Sequence, residues 1–110
     1  MDQKRRVVVT GLGLISPLGN TVESSWKEAI EGKSGAEHIS KFDTENFLTK
    51  FGATVKNFKD LNCIDPKEAR RTDLFIQYGT AAAIEAIEDS GFMDFYESKR
   101  IGVSVSSGIG

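Results

Sequence analysis

The stretch VVVTGLGLISPLGNT, residues 7–21, decides how the chain is read. An apolar run breaks into two closely spaced glycines, and a helix-start signal follows. Residues 7–10 are short, β-branched and apolar, which predicts a strand covered on both faces. Gly11 and Gly13 fill the first two positions of the dinucleotide fingerprint G-x-G-x-x-G. The third falls on Ser16, followed by Pro17, and the next glycine, Gly19, is out of register. That fingerprint works only when a helix N-terminus faces the pyrophosphate. Here the helix is predicted to start near residue 21, too far along. An acidic residue closing a second strand about 20 residues later is missing as well. The phosphate loop G-x-x-x-x-G-K-[ST] fails too, because Asn20-Thr21 follows Gly19, and Gly32-Lys33-Ser34 follows a helix instead of opening one. The glycines are therefore expected to turn the chain tightly and let a neighbour pack close. No nucleotide and no other cofactor is expected.

Outward from this stretch, Asn20 with Glu23 three residues on reads as a capping box. Val22, Trp26, Ala29 and Ile30 recur at helical spacing, so residues 21–31 are predicted as a helix with one buried stripe ending at Gly32. Residues 33–49 read as polar loop. Phe51, Ala53 and Val55 alternate with Gly52, Thr54 and Lys56, which predicts a half-exposed strand. Asp65-Pro66 opens a short helix, with the aspartate as cap and proline at the first helical position. Asp73 restarts the signal. Leu74, Tyr78, Ala81, Ala82, Ile84, Ala86 and Ile87 then give a long helix a wide, alanine-rich face suited to close packing, ended by Ser90-Gly91. Ile101, Val103 and Val105 alternate with Gly102, Ser104 and Ser106, predicting a strand with one bare face that something approaches closely. It runs into SSGIG. Few strands for a parallel sheet are present, so the 110 residues are expected to belong to something longer.

The bulk numbers exclude several classes. A net charge of −2 gives no reason to expect nucleic acid or an anionic membrane as partner. No stretch approaches the ~20 apolar residues of a membrane span. The single cysteine, Cys63, permits no internal disulfide and fits a reducing compartment. The basic start is followed by an apolar run that Gly11, Gly13, Ser16 and Pro17 interrupt, so no signal peptide is predicted and a cytoplasmic location is expected.

The segment RRVVVTGLGLISPLGNTVESSWKEAIEGKSG resembles the N-terminus of the β-ketoacyl-acyl carrier protein synthases, closest to the type II elongating enzymes. The likeness continues through HISKFDTENFLTKFGATVK and DPKEARRTDLFIQYGTAAAIEAIEDSG and ends in RIGVSVSSGIG. It implies an α/β chain of thiolase-like fold, five layers αβαβα in the complete family. Residues 1–110 would be a partial N-terminal β-ketoacyl synthase domain ending before the catalytic cysteine. The implied function is decarboxylative condensation of acyl chains with malonyl-carrier protein in fatty acid elongation. The implied partners are the acidic acyl carrier protein, malonyl- and acyl-thioesters, and a second copy in a homodimer.

The resemblance also sorts the candidate residues. The family's catalytic cysteine and two histidines match nothing here, so Cys63 in LNCID and His38 in HISKF are expected to be structural, and the chain alone inactive. Lys67, Arg70 and Arg71 fall at i, i+3 and i+4 and match the basic segment that helps dock the carrier. On charge alone the favoured reading is a solvated face, since Asp65, Glu68 and Asp73 balance them. Ile109 in SSGIG matches the residue that gates the acyl pocket, a role compatible with simple core packing. Two other readings stay open: a polyketide ketosynthase or its inactive partner subunit, and a stand-alone module binding an acidic carrier. The last requires the chain to fold alone, with the apolar segment at residues 7–10 left uncovered.

Overall fold

The computed structural model describes residues 4–109, the side chain of Asp60 excepted. It is mixed α/β. Helix α1 spans Val22–Ile30, β1 spans Ala36–His38 and β2 spans Phe51–Ala53. Helix α2 follows at Pro66–Ala69 and α3 at Leu74–Ser90. The strands pair antiparallel with Ala36 opposite Ala53 and His38 opposite Phe51. The amide of Ile39 extends this ladder to the Lys50 carbonyl at 2.9 Å. Short 3-10 helices at Phe58–Leu61, Phe92–Asp94 and Ser98–Arg100 join these elements.

Helix boundaries follow local chemistry. Thr21, not Asn20, caps α1: its extended backbone frees Oγ1 to accept from the Ser24 amide, and Ser24 Oγ accepts from the Thr21 amide in return. The Asn20 side chain is used elsewhere, donating to the Lys56 carbonyl at 2.7 Å. Asp65 caps α2 as expected, its carboxylate accepting from the amides of Lys67 and Glu68, with Pro66 at the first position. Gly91, at φ 60°, closes α3 in the left-handed conformation that costs an L-residue about 1–2 kcal/mol. Asp73 marks the start of α3, but its side chain makes no cap bond.

Burial departs from the periodicity. Trp26 and Ile30 of α1 are each 66% exposed, and the buried residue of that helix is Ser25. Polar bonds explain this inversion: Ser25 Oγ donates to the Gly19 carbonyl and shares a 2.8 Å bond with Ser16 Oγ, seating the helix on its hydroxyl side. The predicted strands at 7–10 and 101–106 are not paired strands. Val7 and Val103 are 87% and 88% exposed, and nothing approaches Gly102. A strand needs a hydrogen-bonding neighbour as well as a β-branched sequence, and the described residues offer these segments none. Among the described residues, Ala81 of α3 is the one buried hydrophobic side chain.

The result is a large surface. The chain exposes 9647 Å2, against roughly 6,000 Å2 for a compact monomer of its 12.0 kDa mass. Its radius of gyration is 17.8 Å, where about 13 Å is usual for a compact domain of this length.

Candidate functional site

The glycine loop lies along α3, and the amides of Leu12 and Leu14 are already occupied. A Cβ at Gly11 would collide with the Ala86 carbonyl and come within 2.8 Å of the Ser90 amide. At Gly13 it would collide with the Ala82 carbonyl and come within 2.9 Å of the Ala86 amide. The loop therefore descends α3 one turn per two residues, backbone against backbone. This close approach is what the two glycines are for; neither has a positive φ, so neither supplies the turn. The turn comes later, at residues 16–19, where Ser16 and Gly19 bond reciprocally around Pro17-Leu18.

Two carboxylates of α3 hold the loop in place. Asp89 Oδ2 accepts from the Leu12 amide at 2.9 Å. Glu85 accepts from the Leu14 amide through Oε2 at 2.9 Å and from the Val22 amide, at the start of α1, through Oε1 at 2.8 Å. In a nucleotide-binding loop such amides face a phosphate. Here an internal anion sits on them, and a phosphate arriving at Leu12, Leu14 or Val22 would meet negative charge. Glu85 and Asp89 were not among the candidate residues of the sequence. Their one local signal was the i, i+4 spacing of two acids, with Glu88 between them, on the alanine- and isoleucine-rich second half of the helix.

A second feature gathers several of the sequence candidates. An open cavity of about 880 Å3 lies between residues 55–64 and the α2–α3 region. Phe58 and Tyr78, stacked edge-to-face at 4.8 Å between centroids, line it with Leu74 and Ile64. Lys41, Lys59 and Arg70 bring three exposed cations to it. Of the predicted docking residues only Arg70 borders this cavity; Lys67 and Arg71 are exposed outside it. None of the three forms an ion pair among the described residues. Arg70 is the C-cap of α2, and Arg71 lies beyond the helix.

Cys63 is half-buried in the cavity wall, and His38 is exposed at the end of β1. The structure does not bring these two together as a cavity pair. Ile109 is 95% exposed and lines no cavity among the described residues, so it does not pack in a core here. Among the described residues no group of three or more His, Cys, Asp or Glu side chains could hold a metal ion. No helix is long and apolar enough to cross a membrane.

Comparison with known proteins places this arrangement. Residues 4–110 match the model of the beta-ketoacyl synthase N-terminal domain. The chain is 56% identical over 108 residues to 3-oxoacyl-[acyl-carrier-protein] synthase 2 of Vibrio cholerae, covering 97% of this chain and 26% of that protein. It is 44% identical over 109 residues to the synthase 2 of Coxiella burnetii, with 98% and 26% covered. With the Staphylococcus aureus (strain COL) protein of that name the identity is 45% over 112 residues, covering all of this chain and 27% of the relative. The chain thus spans about a quarter of the length of the relatives it matches. Its glycine loop, helices and C-terminal SSGIG all fall inside the matched span, and the chain belongs to the beta-ketoacyl synthase family as an N-terminal domain segment.

Proposed function

We propose that these residues form the N-terminal part of a 3-oxoacyl-[acyl-carrier-protein] synthase of fatty acid elongation. The observation that carries the proposal is the 56% identity sustained along almost the entire chain to a protein of that name. The surface supports it. An excess of several thousand Å2 over a compact monomer, with Val7, Val9, Trp26, Ile30 and Val103 uncovered, is the surface of a part that packs against more protein. In the complete enzyme that cover would be the remaining layers of a five-layered thiolase-like body, acting as a homodimer in the cytoplasm.

The chemistry would then be a decarboxylative condensation. A cysteine thiolate takes an acyl chain from the carrier, malonyl-carrier protein loses carbon dioxide, and the resulting carbanion attacks the acyl thioester. Neither Cys63 nor His38 matches a group that performs these steps, so residues 1–110 contribute architecture and recognition. Lys67, Arg70 and Arg71 would steer the acidic carrier. Ile109 would gate the acyl pocket once the surrounding body covers it.

The test is a chimera in which residues 1–110 replace the corresponding segment of the Vibrio cholerae synthase. Condensation of an acyl-carrier protein with malonyl-carrier protein is expected. A chimera that melts and assembles like its parent but makes no 3-oxoacyl product overturns the reading. In an active chimera, Arg70→Glu with Arg71→Glu is expected to raise the carrier KM roughly tenfold and leave turnover of small acyl thioesters unchanged. An unaltered carrier KM returns these residues to the solvated face.

A further inference from the structure

We propose that the cavity walled by Phe58, Tyr78, Leu74 and Ile64 binds a small single-chain amphipathic carboxylate, with its head among Lys41, Lys59 and Arg70. Its volume, about 880 Å3, lies in the range of small-molecule sites. The walls are aromatic and aliphatic, which suits a hydrocarbon chain, and Phe58 against Tyr78 makes a rigid aromatic surface. The charge is one-sided. Three cations border the cavity, no carboxylate among the described residues lines it, and none of the three cations has an ion-pair partner there. Three other lysines are paired among the described residues, Lys33 with Glu28 and Glu31, Lys56 with Glu37 and Lys99 with Glu97, while Lys4, Lys27, Lys50 and Lys67 are not. An apolar hollow edged by unpaired cations recognises a molecule with one anionic end and one apolar end. The site shares Arg70 with the proposed carrier contacts, whereas Lys67 and Arg71 lie outside it.

Cys63 lines the same cavity and is the one cysteine of residues 1–110, so the alkylation rate of the peptide that carries it reports occupancy. The experiment follows alkylation of Cys63 in the full-length protein by iodoacetamide, read on the Cys63 peptide by mass spectrometry, with dodecanoate, dodecyltrimethylammonium or dodecanol, all below micellar concentration. Dodecanoate is expected to protect Cys63 saturably, and the cationic and neutral amphiphiles far less. Affinity should rise roughly two- to fourfold per methylene from decanoate to tetradecanoate. Lys41→Glu with Lys59→Glu should weaken dodecanoate at least about fivefold, while Lys67→Glu leaves it unchanged. Both lysines are exposed, and an unchanged circular dichroism spectrum verifies that the variant folds. Equal protection by the cationic amphiphile, no protection by dodecanoate, or indifference to the lysine substitutions overturns the proposal. Protection by acyl carrier protein alone would also overturn it and assign the cavity to protein docking. Because Lys67→Glu tests carrier steering without touching the cavity, failure of either proposal is told apart from failure of the other.

Discussion

Replacing Glu85 by alanine should unfasten the glycine loop, and the cost follows from its two bonds. Its carboxylate accepts from Leu14 and Val22, two amides on separate segments, at 2.9 and 2.8 Å. Hydrogen bonds to a charged acceptor contribute about 1.5–3 kcal/mol each, and a buried donor left unpaired costs about 1–3 kcal/mol. Leu14 is exposed, so water can satisfy its amide and its loss lies at or below the low end. Val22 is half-buried at the start of α1, where the helix has no internal partner for the amide, so its loss is larger. The total is about 2–3 kcal/mol, a fall of roughly 10 °C or more in the melting temperature of a domain this size. Glu85→Gln keeps one oxygen acceptor and should lose about half as much. Glu88→Ala, on an exposed position of the same helix, corrects for the helix propensity of alanine. Urea unfolding followed by circular dichroism gives the differences, and amide exchange at Leu14 and Val22 locates them. If Glu85→Ala destabilises no more than Glu88→Ala, or the two amides keep their protection, the clamp does not hold the loop.

Gly13→Ala should fail to fold or lose at least ~3 kcal/mol, because its methyl group meets rigid α3 backbone; Gly102→Ala, with open space around it, should be neutral within about 0.5 kcal/mol, both read by urea unfolding. Asp65→Ala should cost about 1 kcal/mol through the lost cap of α2, checked by the same transition. The Lys33 ammonium, hydrogen-bonded to Glu28 and then to Glu31, has its pKa pushed up from 10.5 to about 12. A raised lysine pKa favours the folded state below pH 10.5 and is lost as pH climbs through about 12, so an NMR titration of Lys33 should show that later midpoint. In Glu28→Gln, or in 1 M salt, the midpoint should move back toward 10.5.

Local punctuation in this sequence was readable because its physics is local. Asp65-Pro66 capped α2, Gly91 closed α3, and Gly32 adopted the expected left-handed conformation at φ 71°. What stayed hidden depends on partners distant along the chain. Glu85 lies 71 residues from Leu14 and 63 from Val22, so no window of sequence shows that an acidic helix residue will cap a loop. The apolar spacing of Trp26 and Ile30 says that one face is greasy, but not whether the described residues cover it. In α1 the hydroxyl network of Ser16 and Ser25 settled the orientation instead. The valines at 7–9 and 103–105 show the same limit, because a β-branched run states a preference that only a neighbouring strand can realise.

Helix α3 serves two clients at once. Leu74, Gln77 and Tyr78 wall the cavity near its beginning, and Glu85 and Asp89 grip the loop near its end. Each residue of an α-helix advances the direction of its side chains by about 100°. One residue inserted or deleted between Tyr78 and Glu85 would swing either the aromatic wall or the carboxylates a quarter turn out of line. Six residues, numbers 79–84, thus behave as a gauge block: their letters can vary where packing allows, but their count is fixed.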